Sequence, residues 1–575
     1  MERRLLLVFA LTFLVIMLFQ PILKKYMPAP PAAPQNSQQA SGTSSGQSAG
    51  APGGQGDSRV QAGSAQGGHV AAPAPVAASS EAETVVENDL YRIVFSNRGA
   101  QVKSWVLKKW DDDSGKPLEL VNRAAAEKYG YPLALWTYDE NLRNRLNSAL
   151  YVANSTGTSA PAEIRFAYSD GDISVEKKFK FDHSYVVQVE TLVTQKGAQL
   201  TALPMWPSGF GGEMTAAAVA AGQVAYQYDA KVERLTFKKV TGGATVQGPF
   251  HWAGVYDQYF AAVFLPQDPQ NTAMVTLRNP LEIPHNGNSN DKDKVDVLGA
   301  AVGSLKGASA SRLYVGPKSL ADLEAVNVPG IAGADPDLRR VVDFGDWLGY
   351  IARPLFLWLK WTHNRIVPNW GWAILLQTLV INLALLPLRL SQMKSMLKMQ
   401  RVAPQIKAIQ EKYKKYSLKD PRKAEMNTEI SALYKKEGVN PVGGCLPLLL
   451  QMPFLFAYYR MLGVAIDLRH ASWVWIKDLA APDPWHILPI AIIVTMFFMQ
   501  RMTPQGGMDP AQQKMMNIML PGMLGYMSWY LPAGLGLYWA AGQVINIVQQ
   551  AALNRSALGR EMREMMEKRA RKKEK

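Results

Sequence analysis

The chain has 575 residues, room for several domains, and 62 Lys and Arg against 47 Asp and Glu give a net charge of +15 that disfavours basic partners. Its mean hydropathy of -0.09 averages a polar first half with a very apolar second half and describes neither. The single cysteine, Cys445, excludes an intrachain disulfide; within an apolar run it reads as a small buried side chain.

Residues 1–26 open with a basic start and an apolar run through Leu23, with no clear small-residue cleavage site, which predicts a retained signal-anchor transmembrane helix. Residues 27–83 are Pro, Ala, Gly, Ser and Gln, too poor in large apolar side chains to build a core, and read as a flexible linker. From 84 to 328 the stretches LYRIVFS, QVKSWVLKKW, ISVEKKFKF and SYVVQVETLVT alternate with period two between turn signals, predicting a large antiparallel β-sandwich domain. Its His183, Glu190, Glu233 and His251 show no spacing that fixes an acid and base pair, so surface or core roles account for them. Residues 343–363, DFGDWLGYIARPLFLWLKWTH, predict an aromatic amphipathic helix suited to lying in the headgroup layer.

Trp372 to Leu388 is a run of seventeen uncharged residues, near the lower limit of the about 20 that cross a bilayer core. Gln377, Thr378 and Asn382 interrupt it, and such side chains turn toward other helices or a wet cavity. Residues 389–440 hold thirteen Lys and Arg against five Asp and Glu. Two helices are predicted there, one from Gln392 to Tyr416 kinked at Pro404 and one starting at Asp420 and Pro421. Ile406, Ile409 and Tyr413, then Met426, Ile430 and Leu433, recur at spacings of three and four, so the pair closes as a basic helical hairpin. Residues 443–550 hold four more apolar segments, and the last carries Gln543, Asn546 and Gln549. The tail, 551–575, has nine Lys and Arg against four Asp and Glu. Six spans with both termini and the hairpin cytoplasmic and the β domain outside satisfy the positive-inside rule, so the basic excess reads as topology rather than as a DNA partner.

The runs NPVGGCLPLLLQMPFLFAYYRML (440–462), KMQRVAPQIKAIQEKY and TMFFMQRMTP resemble the YidC membrane protein insertase family of bacterial inner membranes. The resemblance covers roughly residues 343–550, and the order of anchor, linker and periplasmic β domain resembles its Gram-negative branch. It implies a five-helix insertase core with a hydrophilic groove open to cytoplasm and lipid and closed to the periplasm. It further implies insertion of nascent membrane proteins, independently or with the Sec translocon, without cofactor, metal, nucleotide hydrolysis or covalent catalysis. In such proteins the hairpin recruits substrates and the basic tail docks ribosomes, with membrane lipids as the surroundings. By position, Thr378 matches a polar groove residue, Gln451, Met452 and Pro453 match the third-span substrate-contact motif, and Tyr538 and Trp539 match an aromatic pair on the sixth span. With the polar residues of the spans, the expected groove set is Gln377, Thr378, Asn382, Gln543 and Asn546. The departure is Asn382, where the family has arginine. Asparagine here either lines a less cationic groove or packs helices by bonding Gln543 or Asn546. A transporter or channel is the alternative, disfavoured by the lack of a carboxylate in the predicted spans and of a visible inverted repeat. A membrane-anchored sugar enzyme would need the acid and base pair that the β domain does not display.

Overall fold

The computed structural model describes residues 74–212, 216–229, 231–285, 288–326, 337–345, 347–416, 420–439, 446–502, 515–557, 559–561 and 564. The expected anchor, most of the linker, Cys445 and most of the basic tail lie outside the described residues, as does the side chain of Gln451.

Three sheets, antiparallel throughout, build the β domain. The largest has ten strands and runs from Lys231–Thr236 through Gln223–Tyr228, Trp252–Tyr256, Phe260–Pro266, Ser309–Pro317, Val186–Gln195, Ile173–Phe181 and Ala162–Ser169 to Val152–Ser155, with Ala198–Gln199 beside Val186–Gln195. A five-stranded sheet centres on the long hairpin of Thr272–His285 and Asn288–Ser304, and a four-stranded one starts at Glu83–Glu87. Alternation explains the packing: in Ile173–Phe181 every second residue is buried, as period-two side chains require. Phe95 of the four-stranded sheet meets Phe166 and Phe179 of the largest at 5.8 and 5.0 Å between ring centroids, and Trp105 meets Trp206 of the five-stranded sheet at 5.9 Å. These ring contacts join the four-stranded sheet to each of the other two.

Lys177 belongs to the inward series of Ile173–Phe181 and is buried. Its Nζ donates to the carbonyls of Gly99 (2.7 Å), Ala100 (3.1 Å) and Leu133 (2.8 Å). No carboxylate pairs with it among the described residues, and burial pulls its pKa down to about 7.

The helices follow. α1 is Gly349–Arg365, α2 Trp370–Ala384, α3 Leu386–Lys412, α4 Arg422–Lys436, α5 Leu446–Val464, α6 Ile487–Met502, α7 Leu520–Ser528 and α8 Ala533–Arg555. α1 is two-faced: Ala352, Leu355, Phe356 and Leu359 are buried, while Tyr350, Leu357 and Trp361 are exposed. Asn369 caps α2, its Oδ1 accepting from Trp372 N at 3.2 Å.

The apolar run expected to pass unbroken through Leu388 is instead broken at Leu385, where α2 and α3 bend by 45°. Pro387 explains the break: it has no amide to donate, and its ring crowds the carbonyl of Leu383 one turn earlier. Among the described residues no single helix is long and apolar enough to cross a membrane; only the bent pair of α2 and α3 meets that test. Residues 404–438 form a compact unit of their own. There Ile406, Tyr413 and Met426 are buried, Ile409, Ile430 and Leu433 half-buried, and Lys412 pairs with Glu429 at 3.3 Å. Asp420 Oδ1 accepts from Arg422 N at 3.0 Å, but α4 starts at Arg422 with Pro421 in the cap position, one residue later than predicted.

Candidate functional site

The polar residues of the apolar helices lie in two layers along α2. The layer nearer Asn369 is a closed lock. Gln377 is fully buried; its Nε2 donates to Leu355 O of α1 at 3.0 Å, and its Oε1 accepts from the Tyr458 hydroxyl of α5. Tyr458 in turn stacks on Tyr538 of α8, with centroids 3.9 Å apart and planes 12° from parallel. One glutamine and two tyrosines therefore tie four helices, and Trp539 is buried beside Tyr538 in α8. Tyr458→Phe is expected to orphan Gln377 Oε1 at a cost of about 1–3 kcal/mol, read as an earlier thermal transition of the protein in detergent. No change would mean that stacking alone holds the layer.

The second layer begins at the next residue, Thr378, extends one turn to Asn382, and is only half satisfied. Thr378 Oγ1 donates to Ile374 O of its own helix at 2.7 Å. Asn382 is buried; its Nδ2 donates to Thr378 O (2.8 Å), its backbone carbonyl accepts from Gln549 Nε2 of α8 (3.2 Å), and its Oδ1 faces Arg389 Nη2 at 3.4 Å. α8 packs against this layer: a Cβ on Gly542 would lie 3.9 Å from both Asn382 Nδ2 and Thr378 Cγ2, an ordinary van der Waals contact. Asn546 is buried and Gln549 half-buried, and Asn546 Oδ1 and Gln549 Oε1 have no hydrogen-bond partner among the described residues. Arg389 meets no carboxylate among the described residues. Unpaired acceptors on α8, and a guanidinium that meets an amide oxygen but no carboxylate among the described residues, are costly among apolar helices unless another polar group joins them.

Gln377, expected among groove residues, is committed to the lock, while Asn382 and Asn546 belong to the second layer. Gln543, Met452 and Pro453 are half-buried. Asn382 bonds neither Gln543 nor Asn546, the partners that a packing role predicted; its neighbours are Thr378, Arg389 and Gln549. Arg389 brings a guanidinium to Asn382, so a positive charge lies beside the asparagine. Sequence reasoning assigned Arg389 only to the basic region that follows the span. Seven residues would return a side chain to the same face of one unbroken helix, but the break at Leu385 and the 45° bend lie between Asn382 and Arg389, so spacing gave no signal. Tyr458 was missed as well, since a tyrosine inside an apolar helix reads as packing.

The outward faces of the helices are apolar. Ile490, Val494, Phe497 and Phe498 of α6 and Val544 and Val548 of α8 are exposed, more contiguous apolar surface than water tolerates. Fold and site thus define a membrane protein whose helical core carries a large β domain. Comparison with known proteins agrees. The YidC periplasmic domain family matches residues 83–358, and the 60Kd inner membrane protein family matches residues 361–560. The chain is similar to the membrane protein insertase YidC of Bordetella avium, 32% identical over 84% of each chain, and to that of Syntrophus aciditrophicus, 30% identical over 97% of this chain and 100% of the relative. The YidC of Geobacter metallireducens is 34% identical over 85% of this chain and 89% of its own. A crystal structure of an active YidC insertase with its first transmembrane domain resolved is 20% identical, covers 84% of this chain and 95% of its own, and has a TM-score of 0.35. The chain belongs to the YidC family of membrane protein insertases.

Proposed function

We propose that this protein inserts nascent proteins into the bacterial inner membrane through the second polar layer, with Asn382, Arg389, Asn546 and Gln549 receiving a hydrophilic stretch of the substrate. The observation that carries this reading is the half-satisfied state of that layer beside a lock that is fully bonded. A substrate's polar segment supplies partners to Arg389, Asn546 and Gln549, and so crosses a shorter apolar distance. Gln377, Tyr458 and Tyr538 close the other end against the periplasm. The substrate's apolar segment leaves sideways past Met452 and Pro453 of α5 and the aromatic pair of α8, Tyr538 and Trp539, with Gln451, Thr378 and Gln543 along the same path.

The topology belongs to the same proposal: six spans, of which five form the core, cytoplasmic termini, a periplasmic β domain, and residues 389–440 as a cytoplasmic hairpin. α1, with one aromatic face exposed, lies in the headgroup layer. The cationic hairpin and tail face anionic lipid headgroups or ribosomal RNA through phosphate electrostatics, and the Sec translocon is a partner for long substrates. No step of this scheme breaks a covalent bond, so the protein acts as an insertase rather than as an enzyme.

Photocrosslinking from positions 378, 382, 452 and 539 to a ribosome-stalled nascent membrane protein tests the path. Labelling at these positions, with silence at the lipid-facing Val494 and Val548, is expected. Equal labelling at the outward positions would refute a defined route.

A further inference from the structure

Tryptophans gather at one end of the helical core, where α2 and α6 begin. Asn369 Nδ2, just before α2, donates to Ser472 O of the connection from α5 to α6 at 3.0 Å. Trp473 lies directly over Gly371, where a Cβ would stand 2.2 Å from its Cδ1, and meets Trp372 edge-on with 5.6 Å between ring centroids. The buried Asp483 accepts from Trp475 Nε1 (3.1 Å), Trp485 N (3.1 Å) and Leu488 N (2.7 Å). Gly371 and Asp483 thus fix one connection to the first turns of both helices.

The connection turns at a two-residue hairpin. Trp473 and Ile476 exchange both backbone hydrogen bonds at 2.8 Å, which leaves Val474 and Trp475 as the central pair. Val474 has φ +50° and is 75% exposed. Both properties are unfavourable in water. A β-branched residue enters that backbone region only under strain, at a turn position where glycine is usual, and the strain here holds an apolar side chain outward. From Ala471 to Ile476 the segment carries no charge. An apolar medium around the tip accounts for both the exposure and the composition.

Continuity identifies that medium. Trp485, 66% exposed, precedes the outward stripe of Ile487, Ile490, Val494 and Phe497 on α6, whose spacings of three and four keep it on one face. Trp372, 52% exposed, heads the outward Leu379 and Leu383 of α2. Both apolar faces therefore end at an exposed tryptophan, the residue that collects between headgroups and acyl chains. Charge returns immediately beyond: Lys477 is exposed, and Arg469 and His470 meet Asp113 of the β domain at 3.3 and 3.1 Å. We infer that the hairpin Trp473–Ile476 is a phospholipid-binding wedge, with Val474 seated below the headgroups and Trp372 and Trp485 at the same boundary. The wedge holds the starts of α2 and α6 at one depth, because Gly371 and Asp483 join it to both. That the lipid belongs to the outer leaflet rests on the topology proposed above; the contact with lipid does not.

Spin labels on single cysteines measure depth in the full chain, in nanodiscs of phosphatidylethanolamine and phosphatidylglycerol. Cys445→Ser removes the one native thiol and is the background. Val474→Cys and Lys477→Cys then place labels at two exposed positions three residues apart. The ratio of collisions with oxygen to collisions with a water-soluble nickel chelate is expected to be about tenfold higher at 474 than at 477, because an apolar gas enters hydrocarbon and a polar chelate does not. Equal ratios would leave the tip in water, where only a protein partner could cover it, and would overturn the proposal. Should the label itself disturb the tip, Ser472→Cys beside an unaltered Val474 is the second probe, and a ratio there no higher than at 477 overturns the proposal equally. The leaflet is read separately, by adding a membrane-impermeant maleimide to spheroplasts that carry Lys477→Cys. Labelling of intact spheroplasts is expected. Labelling only after lysis would overturn the topology and leave the lipid contact standing.

Discussion

Replacing Arg389 with glutamine is expected to lower insertion of a substrate with an acidic translocated segment by about tenfold to a hundredfold, and to leave one with a neutral polar segment nearly unaffected. The magnitude is that of one charged hydrogen bond, about 1.5–3 kcal/mol, withdrawn from a poorly hydrated site. Direction follows from what surrounds the guanidinium: a neutral amide oxygen at 3.4 Å and no carboxylate among the described residues, so the charge is available to a ligand. The same geometry predicts the outcome of placing arginine at 382. Two guanidinium groups would then share the space that Asn382 Oδ1 and Arg389 now occupy, and like charges at low dielectric repel. Asn382→Arg alone is expected to bring no gain, and Asn382→Arg with Arg389→Gln to recover the preference for acidic segments. Insertion of paired acidic and neutral substrates into vesicles measures all three variants. Equal loss on both substrates would make Arg389 a structural residue only.

How much of this was legible in the sequence depends on the range of the interaction. The strands were, because period-two burial is local: ISVEKKFKF alternates on the page as it does in space. Their grouping was not, since Ser309 opposite Thr191 is a pairing that no local pattern announces. Polar residues inside apolar helices were legible as anomalies, which is why Gln377, Asn382 and Asn546 stood out. Their division into a closed lock and an open layer was not, because it turns on the hydroxyl of Tyr458 and the reach of Arg389, both supplied across a helix gap or a bend. The rule that places cations in the cytoplasm also hid Arg389, since it treats the first arginine after an apolar run like every one that follows. Composition likewise hid Lys177, one of three lysines in four residues, of which only that one shares the inward series.

Lys177→Met is expected to be the most destabilising single change in the β domain, at about 3–5 kcal/mol. The methionine fills the volume but leaves the carbonyls of Gly99, Ala100 and Leu133 without a donor, and each buried orphan costs about 1–3 kcal/mol. These carbonyls belong to residues with φ of +69°, +47° and +64°, a backbone region that Ala and Leu enter only at a cost of about 1–2 kcal/mol each. The ammonium is what gathers the two turns, so its loss releases them as well. The effect also depends on pH. The folded-state pKa lies near 7 and the unfolded value near about 10.4, so between them the unfolded chain holds a proton that the folded one has shed. Unfolding then takes up a proton, and wild-type stability rises with pH across that window. Methionine cannot titrate, so the gap between wild type and Lys177→Met is expected to be wider at pH 9 than at pH 6, measured as the calorimetric transition of the β domain. Lys180→Met, in the outward series of the same strand, is the control. A destabilisation no larger than the control's would show that the two turns hold themselves, and one equal at both pH values would show that Lys177 stays charged where it is buried.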